Sequence, residues 1–183
     1  MAAWAPPPAE DAESDRNLTI PVAAVYVRRE LPVPFCEPQD LVEAIWSGVT
    51  DRTKVLFLSH IASPSGVVLP VAPLVARARA RGILTVVDGA HVPGQIDCDL
   101  HALDCDVWAG NAHKWLLAPK GAAALYVRAD AQDRIEPLVV SWGWGENCPY
   151  ESDSRLQAIL EWWGTKDPAA YFSVPAAIQF QKD

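Results

Sequence analysis

The sequence lacks the features that mark zinc-binding, secreted and membrane proteins. Its four cysteines, Cys36, Cys98, Cys105 and Cys148, form no C-x-x-C pair and no cysteine–histidine spacing typical of a zinc site. No basic segment followed by an apolar stretch opens the chain, and no apolar run approaches membrane-spanning length. These absences predict free thiols, no metal site and a cytoplasmic protein.

Positive charge is also scarce, which excludes further classes of protein. Lysine and arginine total 15 against 23 acidic residues, giving a formal charge of −8 and a pI of about 4.9. This balance argues against a nucleic-acid partner or an anionic membrane surface. A G-x-S-x-G motif is missing as well, so nothing favours a serine hydrolase.

The composition divides the chain into two parts. Residues 1–19 are rich in alanine, proline and acidic side chains, and this composition predicts a disordered segment. Residues 20–183 contain regular apolar runs, and their number suits a single domain with a sizeable core.

Apolar runs and helical patterns alternate along residues 20–183, which predicts an α/β fold with a mainly parallel sheet and helices on both faces. One helix is expected from a capping box of Asp40 and Glu43 to about Gly48, and a second from Pro70 to Gly82. A long loop over residues 141–166 precedes a last helix. The predicted strands are 20–27, 55–58, 83–87, 107–110 and 121–127, and the last helix is 169–180.

Two polar side chains follow neighbouring predicted strands and lie 26 positions apart (114 − 88). Asp88 ends the apolar run at 83–87, and Lys114 closely follows the run at 107–110. Open α/β sheets bind ligands at the carboxyl ends of their strands. A lysine there can form a Schiff base with a carbonyl compound, and an acid can keep the nitrogen of a pyridine ring protonated.

Three further side chains complete the requirements of a pyridoxal phosphate site. His91, three residues after the acid, could hydrogen-bond the phenolic oxygen of the ring. Asn111 and His113 flank the lysine and could donate hydrogen bonds to a phosphate. Together with the acid and the lysine, they predict pyridoxal 5′-phosphate as the cofactor.

The chain resembles a known family over about residues 20 to 181. It is similar to the fold-type I pyridoxal phosphate enzymes of the class V aminotransferase family, in particular to the isopenicillin N epimerase-like branch. The segments that carry the resemblance are SHIASPSGVVLP, VVDGAHVPGQIDCDL, DVWAGNAHKWLLAPKGAAALYVR, LVVSWGW and WWGTKDPAAYFSVPAAIQF.

The resemblance implies a role for each residue of the predicted site. Lys114 corresponds to the lysine that binds the cofactor covalently, and Asp88 to the partner of the ring nitrogen. His91 corresponds to a position near the phenolic oxygen, where relatives often have glutamine. Asn111 and His113 correspond to phosphate contacts, although relatives often have serine at the first position.

Two more residues are assigned by the resemblance alone. Ser63 matches a ring-facing position that is commonly asparagine in the cysteine desulfurase branch. Thr165 matches a threonine that reaches the phosphate of the neighbouring subunit, which implies a homodimer. Four side chains stay open between a site role and plain packing, namely His60, His101, Trp142 and Trp144.

The resemblance implies an enzyme that acts on a small amino acid by epimerase, aminotransferase or lyase-type chemistry. Family members have segments before the position of residue 20 and after that of residue 183, so residues 20–183 are expected to be part of the large domain. A catalytically inactive remnant that serves as a binding or pairing module is the alternative.

Overall fold

The computed structural model describes residues 37–145, 152, 154–161 and 164–183. The predicted strand at 20–27 and the predicted disordered segment at 1–19 lie outside these ranges. Of the four cysteines, Cys98 and Cys105 fall within them.

A four-stranded mixed sheet forms the centre of the fold. Its strands are β1 (Val55–Ser59), β2 (Leu84–Asp88), β3 (Val107–Asn111) and β4 (Ala123–Val127), and they lie side by side in chain order. β1 pairs with β2 and β2 with β3 in parallel, whereas β4 runs antiparallel to β3. The predicted mainly parallel sheet is therefore confirmed.

Six α-helices and one 3₁₀ helix accompany these strands within the described residues. The α-helices are α1 (Pro38–Trp46), α2 (Val71–Ala80), α3 (Leu100–Leu103), α4 (Arg155–Glu161), α5 (Ala169–Phe172) and α6 (Val174–Lys182), and the 3₁₀ helix is Ala129–Arg134. None of the helices in this part of the chain is long and apolar enough to cross a membrane.

The crossover helix α2 forms as its apolar spacing predicts. Val71, Leu74, Val75 and Ala78 recur on one face of the helix, and all four are buried. Gly82 has a φ of 64°, the left-handed conformation that glycine supplies after a helix end. Pro70 occupies the N-cap position, one residue earlier than predicted.

The capping-box prediction for α1 is wrong. The helix begins at Pro38, and its N-cap residue, Glu37, makes no side-chain cap. Proline suits the first helical turn because its φ is already helical and its missing N–H is not needed there. Asp40 therefore lies inside the first turn, and Glu43 instead accepts hydrogen bonds from Gln39 and Arg77.

Helices α1 to α3 cover one face of the sheet. Leu56, Leu58, Val87 and Trp108 point toward this face and join the apolar residues of these helices in a single core cluster. Strand side chains alternate between faces, so the residues between them point the other way. Burial of the apolar face against helices is the main stabilising contribution of this core.

The opposite face of the sheet, here termed the open face, keeps large apolar side chains exposed in the described structure. Its apolar side chains include Val55, Phe57, Val86, Ala109 and Leu125. Phe57 is 65% exposed and Leu125 is 54% exposed. Asp88 and Asn111 belong to this face by strand alternation.

Two predictions for the C-terminal third need correction. Residues 155–161 form helix α4 inside the segment predicted to be a loop, since Leu156, Ile159 and Leu160 recur at helical spacing. The predicted last helix is divided at Ser173 into α5 and α6. Pro175 explains the division, because it lies in the first turn of α6 and cannot donate the backbone bond of a continuous helix.

Candidate active site

Asp88 and Lys114 lie at the same edge of the sheet. Asp88 is the last residue of β2, and Asn111 is the last residue of β3, three positions before Lys114. Because β2 and β3 are parallel, with Asp88 opposite Ala109, both strands deliver their carboxyl ends to one edge. The Asp88 carboxylate is half-buried and accepts a hydrogen bond of 2.9 Å from the backbone N–H of Ala90.

The Lys114 amine contacts a histidine from the neighbouring strand end. Lys114 Nζ lies 3.2 Å from Nε2 of His91. The other ring nitrogen of His91, Nδ1, accepts a hydrogen bond of 3.1 Å from the indole N–H of Trp115. The loop after β2 and the loop after β3 are thus joined through three side chains.

The lysine loop, defined here as residues 112–122, connects β3 to the antiparallel β4. Its base is closed by a hydrogen bond from Ala112 N–H to the Ala122 carbonyl, and Ala118 N–H donates to the Ala112 carbonyl. Leu117 N–H donates to the carbonyl of Lys114, and Leu117 has a φ of 66°. This conformation is uncommon for a side chain larger than glycine, so the loop has a specific shape.

Helices α5 and α6 pack against the lysine loop through small side chains. Three loop alanines meet Ala177 of α6 in a buried cluster, and Gln181 of α6 donates a 2.9 Å hydrogen bond to the Trp115 carbonyl. Alanine at these positions lets the helix backbone approach the loop closely. The cluster consists of Ala112, Ala118, Ala122 and Ala177, with Leu116, Ala170 and Val174 packed against it.

Gly94 supports the lysine loop from the other side. It follows His91 in the loop after β2 and has a φ of 80°. A Cβ at this position would lie 2.6 Å from the Trp115 carbonyl oxygen and 2.7 Å from Leu116 Cα, which is too close for a real contact. The loop that carries His91 and the loop that carries Lys114 therefore touch backbone to backbone.

Two histidines present buried ring nitrogens that lack a partner among the described residues. These atoms are Nδ1 of His60 and Nδ1 of His113. Burial lowers the pKa of His60, which keeps its ring uncharged near neutral pH. A buried polar atom without a hydrogen bond is costly, so an additional polar group near either ring would be stabilised.

The remaining predicted site residues differ in their surroundings. Asn111 is half-buried at the end of β3, whereas Ser63 is exposed in the turn of a short hairpin that begins at His60. Thr165 is exposed between α4 and α5. Its role toward a neighbouring subunit stays a prediction, as do the individual cofactor contacts of the other residues.

The residues whose role was left open separate into two groups. His101 packs edge-on against Tyr126, with ring centroids 5.9 Å apart, which is an ordinary packing contact. Trp142 and Trp144 are exposed, and Arg155 lies 5.8 Å from the centre of the Trp144 ring. His60 follows β1 at the same edge of the sheet as Asp88, and its backbone N–H donates to the Asp88 carbonyl.

Comparison with known proteins identifies the family of the chain. The model of the family described as Aminotransferase class-V matches residues 4–182. The chain belongs to the class V aminotransferase family. The match begins earlier than residue 20, the predicted start of the resemblance.

Curated members of the family include an isopenicillin N epimerase of Amycolatopsis lactamdurans, 47% identical over 82% of this chain and 40% of that protein. The isopenicillin N epimerase of Streptomyces clavuligerus is 40% identical over 84% of this chain and 40% of its own length. A probable chloroplastic L-cysteine desulfhydrase of Arabidopsis thaliana is 30% identical over 82% of this chain. The chain spans about 40% of the length of the two epimerases.

A solved structure of this family's fold is that of the cystine C–S lyase C-DES in complex with cysteine persulfide. It is 26% identical, with a TM-score of 0.67 over 77% of this chain and 39% of that one. A variant of C-DES with glycine covalently linked to its PLP cofactor has a TM-score of 0.59 at 24% identity. Membership of the class V aminotransferases agrees with the predicted cofactor, pyridoxal 5′-phosphate.

Proposed function

We propose that this class V aminotransferase chain contributes the lysine-bearing part of a pyridoxal phosphate site that acts on a small amino acid. The observation that carries the proposal is the convergence of Asp88, His91 and Lys114 at one edge of the sheet. The buried, unpartnered Nδ1 of His113 also fits a site that receives a polar group. Epimerase, aminotransferase and lyase-type reactions all fit this set of side chains.

Each residue of the site has a separate task in this proposal. Pyridoxal phosphate, when bound, supplies a carbonyl group that reacts with amines and a ring that withdraws electrons from the substrate. Lys114 provides the amine that attaches the cofactor. Asp88 would hold a proton at the ring nitrogen of the bound cofactor, and His91 would donate a ring N–H to its phenolic oxygen.

Phosphate recognition and subunit pairing involve the other predicted residues. Asn111 at the end of β3 and His113 in the lysine loop would donate hydrogen bonds to the phosphate, and Ser63 would lie near the cofactor ring. Thr165 would reach the phosphate of a second copy, and the working assembly would then be a homodimer. The exposed apolar side chains of the open face support association with another copy.

The two cysteines within the described residues, Cys98 and Cys105, have no part in the proposed chemistry. Burial raises the pKa of the Cys105 thiol to about 11, and burial followed by the charge of Asp99 raises the pKa of Cys98. Both thiols are therefore protonated and poorly nucleophilic near neutral pH. Unpaired thiols at these two positions also support a reducing compartment such as the cytoplasm.

The proposal is tested by trapping the cofactor on the full chain with borohydride and locating the adduct by mass spectrometry. The unmodified chain is expected to carry the adduct on the peptide that contains Lys114, and Lys114→Ala is expected to lose it. Lys120→Ala, an exposed lysine of the same loop, is the matched control and is expected to keep it.

A third variant tests whether attachment of the cofactor to Lys114 requires the carboxylate of Asp88. Asp88→Asn is expected to retain the adduct, because the carboxylate does not supply the amine. An equal adduct yield in Lys114→Ala would show that the lysine assignment is wrong. Complete absence of an adduct in the unmodified chain would favour the alternative, a pairing module that keeps the sheet but holds no cofactor.

A further inference from the structure

The two nitrogens of the His91 ring have different partners, and together these partners define where its proton lies. An indole N–H can donate a hydrogen bond but cannot accept one. Since Trp115 Nε1 lies 3.1 Å from His91 Nδ1, that nitrogen must be the acceptor and carries no proton. In a neutral imidazole the single ring proton is then on Nε2.

The contact between His91 and the lysine follows from this assignment. Nε2 lies 3.2 Å from Lys114 Nζ and approaches it with its N–H. A protonated lysine has three donors and no lone pair, so two donors would face each other. The contact is a hydrogen bond only when the amine is uncharged and accepts the Nε2 proton. An amine with a free lone pair is also the form that attacks a carbonyl.

The position of the indole is defined by its own neighbours rather than by stacking. The rings of His91 and Trp115 lie 6.5 Å apart at 49°, so the edge of the indole, not its face, is directed at the imidazole. Gly94 lies against the Trp115 backbone, and Gln181 donates to its carbonyl. These contacts hold the Trp115 backbone even though its side chain is 50% exposed.

We propose that Trp115 is a positioning residue that fixes His91 in the Nε2–H tautomer, so that Nε2 presents its N–H to Lys114 Nζ. The inference rests on the proposed function for its consequence, but the tautomer itself is a property of the chain without cofactor. Without the indole N–H, Nδ1 can carry the proton, and Nε2 can then accept from a protonated lysine. That arrangement withholds the lone pair from a carbonyl.

The tautomer is read directly from long-range proton–nitrogen NMR spectra of the ¹⁵N-histidine-labelled full chain, recorded without cofactor at a pH where the ring is uncharged. His91→Gln identifies the His91 signals among the four histidines. The expected spectrum has a pyridine-type Nδ1 and a pyrrole-type Nε2. A pyrrole-type Nδ1 in the unmodified chain would overturn the proposal without any substitution.

Trp115→Phe keeps an aromatic ring and removes the donor. It is expected to mix the two tautomers and to slow the attachment of pyridoxal phosphate to Lys114 by about 3- to 10-fold, the range of one net hydrogen bond. Trp46→Phe, a tryptophan on α1 that packs on arginines, is the control and is expected to change neither measurement. A Trp115→Phe spectrum identical to that of the unmodified chain would overturn the proposal.

The two measurements also distinguish this proposal from the proposed function. If the predicted tautomer is observed but no cofactor attaches, the cofactor site is wrong and the tautomer assignment stands. If cofactor attaches at Lys114 but the tautomer is reversed, the positioning role of Trp115 is wrong and the lysine assignment stands.

Discussion

At the scale of single residues, the absence of a side chain at Gly94 allows the loop after β2 to touch the lysine loop. Gly94 has no Cβ, so the backbone of the His91 loop can approach Trp115 and Leu116 to a distance that no other residue allows. Gly66 has a similar φ, 70° against 80°, but a Cβ there would have nothing within 4 Å. Substitutions at Gly66 and Gly94 therefore distinguish the cost of the left-handed backbone conformation from the cost of steric crowding.

We expect Gly66→Ala to cost about 1 kcal/mol of unfolding free energy, the cost of the left-handed conformation. Gly94→Ala is expected to cost about 2–4 kcal/mol, because overpacking adds about 1–3 kcal/mol to that conformational cost. Urea unfolding of both variants measures the difference. Equal losses of unfolding free energy would show that the lysine loop moves away from the added methyl group without cost. The contact with Gly94 would then not define the shape of the loop.

The positions of Asp88 and Lys114 near strand ends could be predicted from sequence, because the end of an apolar run marks the end of a strand. Asp88 directly follows such a run, and the parallel pairing of β2 and β3 needed only the general rules of α/β folds. The contacts of Trp115 and Gly94 could not be predicted in this way. They depend on how closely two loops approach, and nothing in the spacing of residues along the chain encodes that distance.

At the scale of elements, a buried carboxylate links three strands. Asp106, just before β3, accepts hydrogen bonds of 2.7 Å and 2.8 Å from the backbone N–H and the hydroxyl of Thr85 in β2. Its other oxygen lies 2.5 Å from the guanidinium of Arg128, which follows β4. Both oxygens of Asp106 therefore receive donors from neighbouring elements, and its side chain is 5% exposed.

We expect Asp106→Asn to lower the unfolding free energy by about 2–3 kcal/mol, because the amide group places an N–H₂ against a donor whichever way it is turned. Asp130→Asn is the matched control. Asp130 also pairs with Arg128, at 2.8 Å, but its side chain is 67% exposed, so its loss is expected to cost less than about 1 kcal/mol. Thermal and urea unfolding of both variants provide the measurement.

A similar loss in the two aspartate variants would mean that burial contributes nothing to the Asp106 interactions.

The same region shows why some element boundaries were missed. Asp99 caps the short helix α3, which the apolar runs did not predict, by accepting from the N–H groups of His101 and Ala102. An aspartate in a turn and an aspartate at a helix start use the same local hydrogen bonds, and only packing distinguishes them.

At the scale of the whole molecule, the two faces of the sheet are unequal. One is covered by α1 to α3, whereas the open face keeps Phe57 and Leu125 exposed within the described residues. Exposed apolar surface of this kind favours association. The chain by itself is therefore expected to self-associate in solution.

We expect sedimentation of the full chain to show a concentration-dependent increase in mass, and Phe57→Ser to weaken it. Phe180→Ser is the matched control, since that phenylalanine on α6 has a similar exposure, 69% against 65%, but does not belong to the open face. A compact monomer over a wide concentration range would contradict the prediction. Equal effects of the two substitutions would show that association does not use the open face.

The antiparallel direction of β4 has a consequence for the order in which the molecule assembles. Asn111 pairs with Ala123, a separation of 12 positions (123 − 111), whereas Asp88 pairs with Ala109, a separation of 21 positions (109 − 88). Closing the shorter segment costs about 0.5 kcal/mol less chain entropy. The turn that carries Lys114 can thus form before the parallel strands meet. The strand that bears Asp88 then docks beside a lysine loop that is already folded.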